Sequence, residues 1–209
     1  MISRSLIGDE IRPRYAVSIL GYGSTVVDMI GGVKSIDELE TFRPNLVPDG
    51  GTNTAAAFRA ALATLDKFLP NIQDCPAPLV CHLTDGEAPS EQNAEIEDLA
   101  AQIKSRANLD GNVLLENIYI GEQLMNQPIN PHAWEGLTED SQLNGEHVKR
   151  LFRISSPLPT SYAETLRFED YCMKAGASMV FPAEAPAMVE LAFAVAGQTG
   201  AASPQSTAG

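Results

Sequence analysis

An aspartate closes the apolar run Val80-Cys81-His82-Leu83 and is followed at once by a glycine, in Thr84-Asp85-Gly86-Glu87. A buried strand that ends this way places a hard anionic oxygen at an element end, where a turn presents it outward. Thr52 stands in a comparable place. It follows Gly50-Gly51 and precedes an alanine-rich run beginning at Ala55, so its hydroxyl lies at the mouth of a helix. The two glycines let the backbone pass close to whatever Thr52 touches. A carboxylate and a hydroxyl on rigid element ends form part of an oxygen site for Mg2+, Mn2+ or Ca2+; magnesium takes octahedral oxygen ligands and keeps several waters. Each residue also has a purely local role open to it: Asp85-Gly86 as a turn, and Thr52 as a helix N-cap.

An α/β frame must hold these groups. Tyr15 to Leu20 is rich in strand formers, and Gly21-Tyr22-Gly23-Ser24 leads straight into Thr25 to Ile30, which predicts a hairpin. Gly21-x-Gly23-Ser24 also invites a phosphate-loop reading, but it lacks the lysine of that motif and leads into a strand. Ser35 to Val47 reads as a connection with a helical turn at Ile36-Asp37-Glu38-Leu39. Phe58, Leu62, Leu65 and Leu69 then recur on one helical face until Pro70 stops it. Leu79 to Leu83 is a strand, and Ser90 is expected to cap a helix with Ile96, Leu99, Ala100 and Ile103 inward. Val113 to Ile120 is a second apolar strand. Gly121 to Gly145 reads as a long irregular connection around Trp134, with partner-facing roles considered for Trp134 and Asn53. A weak helix pattern covers Glu146 to Phe152. Ser161-x-x-Glu164 reads as a capping box opening a helix that ends near Gly176. A strand at Ser178 to Phe181 and a helix from Pro186 to Ala196 complete the domain, expected over 1–197, with a disordered tail at 198–209. Strands alternating with helices predict a Rossmann-like, mostly parallel sheet with helices on both faces. In such sheets ligands gather beyond the carboxyl ends of the strands, where Asp85 and Thr52 both fall.

The 209 residues carry 44% hydrophobic and 20% charged side chains and a net charge of −13. That charge repels phosphate backbones and anionic lipid, so neither nucleic acid nor membrane is an expected partner. Of the three cysteines, Cys81 falls inside an apolar strand, and Cys75 and Cys172 complete no metal-ligand spacing. An odd count with no secretory signal predicts a reducing, cytoplasmic setting. His82 is expected to be a core histidine with a satisfied hydrogen bond, and His132 and His147 stand at no ligand spacing.

The ordered set Tyr15-Ala-Val-Ser-Ile-Leu-Gly-Tyr-Gly-Ser24, Gly50-Gly51-Thr52 before an alanine-rich helix, and Leu83-Thr84-Asp85-Gly86-Glu87 resembles the von Willebrand factor A domain family, over Pro13 to about Ala196. The resemblance implies a metal-ion-dependent adhesion site with Thr52 and Asp85 as metal residues and Gly50, Gly51 and Gly86 as support. It implies a non-enzymatic interaction module whose cation is completed by an acidic side chain of a protein partner. Bacterial relatives of this kind work beside kinases, phosphatases or AAA-type ATPases. The family's Asp-x-Ser-x-Ser, which follows its central first strand, is missing here. Met1 to Arg12 reads instead as the end of the first helix, with Ile2, Leu6 and Ile11 inward, as if the chain started after that strand. The Tyr15 and Leu79 strands would then close up, have the gap between them filled, or belong to a longer protein, the last being favoured. Magnesium binding by this chain is expected to be weak or nil.

Two other classes remain open. An α/β enzyme, a hydrolase or nucleotide binder, would use the same crevice, but no Gly-x-Ser-x-Gly elbow or Gly-rich loop ending in Lys-Ser/Thr is present. A degenerate scaffold would bind through its loops without metal.

Overall fold

A computed structural model describes residues 15–45, 47 and 50–200, and the backbone of two short strands before them. Those strands, β1 (Leu6–Ile7) and β2 (Glu10–Ile11), pair antiparallel. The helix end expected over Met1 to Arg12 is therefore not formed at Leu6 or Ile11; Ile2 lies outside the described residues. The physical reason is local: the sequence carries a glycine between these two short runs, and glycine weakens a helix.

A mixed α/β fold follows. The β3 strand (Ala16–Val17) pairs antiparallel with β6 (Lys34–Ser35), and β4 (Leu20–Tyr22) with β5 (Val26–Asp28); the expected hairpin forms, but Gly21 and Tyr22 belong to its strand rather than its link, and Ala16 and Val17 pair outside it. Ile36–Leu39 forms the expected turn. The first long helix, α1 (Thr54–Phe68), buries Phe58 and Leu62, and Leu69 follows in a 3-10 turn with Pro70. Three parallel strands, β7 (Leu79–Thr84), β8 (Leu114–Ile120) and β9 (Val180–Ala183), form the main sheet in that order. The helices α2 (Asn93–Ser105), α3 (Glu146–Ile154), α4 (Thr160–Arg167) and α5 (Pro186–Ala196) flank it.

Side chains alternate across β7 and β8. Val80, His82, Thr84, Leu115, Asn117 and Tyr119 share one face, which meets Phe58 of α1 and His147 of α3. Cys81, Glu116 and Ile118 share the other. Glu116, Asn117 and Ile118 are each 0% exposed, as befits the central strand of a parallel sheet covered on both sides.

Several boundaries differ from expectation. Ser90 starts a 3-10 turn and caps nothing; α2 starts at Asn93 with the expected Ile96, Leu99, Ala100 and Ile103 buried. Ser161 lies inside α4, whose N-cap is Pro159, and no capping box forms. That helix stops at Arg167, well short of Gly176; Asp170 has φ 61, a conformation no helix continues through. At the other end, Gln198 is buried in a turn at Gly197–Gly200, so order extends past the expected boundary at 197. Residues 201–209 lie outside the described residues.

The strands bordering the expected gap neither close up nor gain a filler among the described residues. β7 pairs with β8 alone, and the β4–β5 hairpin keeps a ladder of its own. The hairpin packs on α1 and reaches β7 through the Tyr22 side chain.

Candidate functional site

Three chain segments meet beyond the carboxyl end of β7. The first is the hairpin turn after β4, Gly23-Ser24. Its Gly23 carbonyl accepts from Asn53 N–H at 2.9 Å, and Ser24 Oγ accepts from Gly51 N–H at 3.0 Å. The second is the Gly50-to-Thr54 loop that opens α1. Gly50 sits at φ +65, and a Cβ there or on Gly51 would stand 3.3 Å from Ser24 Oγ. Glycine at 50 thus serves both the left-handed turn and the close approach. The third is Thr84-Asp85-Gly86, whose turn is closed by Gly86 N–H donating to Thr84 Oγ1 at 3.2 Å and Thr84 Oγ1 donating to Gly86 O at 3.1 Å.

The second and third segments touch. A Cβ on Gly86 would lie 2.9 Å from Thr52 Oγ1, a distance real Cβ atoms do not adopt, so only glycine fits beside that hydroxyl without displacing it. Thr52 and the Asp85-Gly86 turn therefore share one rim. Among the described residues neither the Thr52 hydroxyl nor the Asp85 carboxylate is taken up by a hydrogen bond or ion pair. Thr52 is not the N-cap of α1. That place belongs to Asn53, whose Oδ1 accepts from Ala56 N–H at 3.0 Å, a local duty that occupies the side chain considered for partner contact. Trp134 is only 9% exposed and packs edge-on against Phe181 at 5.9 Å, so most of its ring serves the core.

Beneath the rim lies a group of which sequence reasoning singled out only His82. The Tyr22 hydroxyl is 2.7 Å from His82 Nε2, and His82 Nδ1 is 2.8 Å from Asn117 Oδ1. Asn117 Nδ2 donates to Ser155 Oγ, and Ser155 Oγ to Leu151 O, both at 2.8 Å. Burial pushes His82 down to about 4, against the opposing Asn117 bond, so the ring is neutral. Burial raises the Tyr22 phenol; the Thr84 and Thr54 hydroxyls favour its ionised form, and the Asp85 charge opposes it. His82 is thus the satisfied core histidine its sequence context predicts.

On the neighbouring strand end, burial raises the Tyr119 phenol, with the charges of Glu87 and Asp85 adding to it. Its ring stands 5.0 Å from His147 on the first turn of α3. His147 is buried, and neither ring nitrogen has a partner among the described residues. Desolvation lowers its pKa first, with Glu87 opposing and Arg150 reinforcing.

Chemically, the rim offers one free carboxylate and one free hydroxyl above a hydroxyl-rich floor. A carboxylate and a hydroxyl are ligand types that a hard cation takes, and further ligands would have to be waters or groups from outside. Among the described residues no group of three or more His, Cys, Asp or Glu is placed to hold a metal ion. No helix among them is long and apolar enough to cross a membrane. No family model, curated protein or solved structure matches this chain.

Proposed function

We propose that this chain is a protein-interaction module of the von Willebrand factor A type. Its binding surface is the rim where the Thr52 loop meets the Asp85-Gly86 turn. The reading is carried by one observation: two motifs from distant parts of the sequence come together at the carboxyl end of a parallel strand, with Thr52 Oγ1 lodged against Gly86. Thr52 and Asp85 would hold a divalent cation, Mg2+ or a substitute. Bound there, the cation supplies a positive charge that two neutral or singly charged ligands leave underneutralised, and an acidic side chain of a partner protein completes it. Gly50, Gly51 and Gly86 keep the rim narrow. A kinase, phosphatase or AAA-type ATPase, in the cytoplasm, is the class of partner this reading favours.

The absence of a third acidic or imidazole ligand among the described residues favours a second reading, a metal-free scaffold that binds through the same loops. A Mn2+ titration followed by NMR line broadening separates them. On the first reading, the amides of Thr52, Asp85 and Gly86 broaden selectively, Asp85→Ala abolishes the effect, and Thr52→Ala weakens it about tenfold with the melting temperature retained. Broadening spread over the acidic surface, or none, selects the metal-free scaffold.

A further inference from the structure

The hydrogen-bond chain under the rim has only one consistent direction. The Leu151 carbonyl can only accept, so Ser155 Oγ gives it its proton. Ser155 Oγ then accepts from Asn117, which fixes the amide with Nδ2 toward Ser155 and Oδ1 toward His82. An amide oxygen cannot donate, so His82 carries its proton on Nδ1 and leaves Nε2 bare. Tyr22 must therefore donate to Nε2. Each proton points away from the rim, and each bond polarises the next. The phenol stands at the head of this chain, beside Thr54, two residues after Thr52, and Thr84, one residue before Asp85.

We infer that Tyr22 is the positioning residue of the rim: its hydroxyl, anchored through His82, Asn117 and Ser155 to the end of α3, fixes the Thr52 loop and the Asp85 turn relative to one another. The hairpin has no strand pairing to β7 among the described residues, so side-chain bonds from Tyr22, to His82 and beside Thr84, tie it to the main sheet. The neutral state of His82 is part of the device, because a charged ring would carry a proton on Nε2 and could not accept from the phenol. The inference rests on the proposed function only for what the rim binds; the clamp itself is a matter of geometry.

Uniformly 15N-labelled full chain tests it. Long-range 1H–15N spectra of the wild type should show His82 protonated on Nδ1 with Nε2 as an acceptor. In Tyr22→Phe, which keeps the ring and removes the hydroxyl, the Nε2 resonance should move toward that of an unbonded ring nitrogen. The Asn53 and Gly86 amides, which report the two arms, should exchange about fivefold faster. The Ser178 and Met179 amides, at the far side of the sheet, should not change. His82→Gln keeps an acceptor for the phenol and should leave Asn53 and Gly86 closer to wild type than Tyr22→Phe does. A uniform rise in exchange across all four amides, or none at Asn53 and Gly86, overturns the clamp. In the same samples, Mn2+ broadening at Thr52 and Asp85 should weaken in Tyr22→Phe. If the wild type shows no such broadening, the cation reading fails, and the exchange result still decides the role of Tyr22.

Discussion

The two faces of the β7–β8 pair handle buried polarity in opposite ways. On one, His82 and Asn117 lie within a continuous chain from Tyr22 to Leu151, each polar atom matched to a partner at 2.7–2.8 Å. On the other, Glu116 is 0% exposed and has only the Cys81 thiol, 3.6 Å from Oε1, while Oε2 has no partner among the described residues. Desolvation raises Glu116 to about 8, so it is carried largely as the neutral acid, and burial pushes the Cys81 thiol well above its ordinary range. One face satisfies its polar groups with geometry; the other discharges its carboxyl. The faces therefore respond to pH with opposite sign. His82 falls from 6.5 to about 4 on folding, so its contribution is full above pH 6.5 and is lost as pH falls through 4. Glu116 rises from 4.5 to about 8, so its contribution is full below pH 4.5 and is lost as pH climbs through 8.

Breaking the discharged face should have the largest effect. Glu116→Gln cannot ionise, so the decline in unfolding free energy between pH 4.5 and 8, on the order of a few kcal/mol, should flatten in urea melts. Wild-type and variant curves that stay parallel over that range would show Glu116 charged or solvated. Asn117→Leu cuts the satisfied face at its middle, stranding the His82 and Ser155 hydrogen-bonding groups. It should cost about 2–4 kcal/mol in the same melts and change little with pH above 6.5. Cys81→Ala removes only a long thiol contact and a small volume and should cost about 1 kcal/mol. The smallest effect sharpens the contrast. His147 is an exception on the otherwise satisfied face, and His147→Leu should be neutral or stabilise by up to about 1 kcal/mol, because an unpartnered polar ring gives way to an apolar one.

Much of what depended on short-range pattern was legible in the sequence. The apolar spacing of Phe58, Leu62 and Leu69, the strand at β8, and α5 with its bounds at Pro186 and Ala196 follow from periodicity and from proline and glycine placement. The placement of Thr52 and Asp85 beside element ends was legible for the same reason: each borders a strongly patterned element. Competing local signals and features fixed by tertiary contact were not. Pro159 displaces Ser161 as the start of α4 because its fixed φ suits the entry to a helix, and the following segment is pulled out of helix at Asp170. The Tyr22–His82 bond joins residues 60 apart, and nothing local in Gly21-Tyr22-Gly23 distinguishes that phenol from a packing ring. Asn117 is similarly opaque, an amide in an apolar strand whose purpose appears only with its two partners in place.

The outer side of β7 has a colloidal consequence. Among the described residues no strand pairs there; the six residues Leu-Val-Cys-His-Leu-Thr carry neither lysine nor proline to guard an edge, and Leu83 is 42% exposed. A net charge of −13 then does work that edge residues do elsewhere, holding copies of the molecule apart through long-range repulsion. Concentrated salt shortens the reach of that repulsion to a few ångströms. Turbidity and light scattering should accordingly climb with ionic strength, and a lysine substituted for Leu83 should delay the onset.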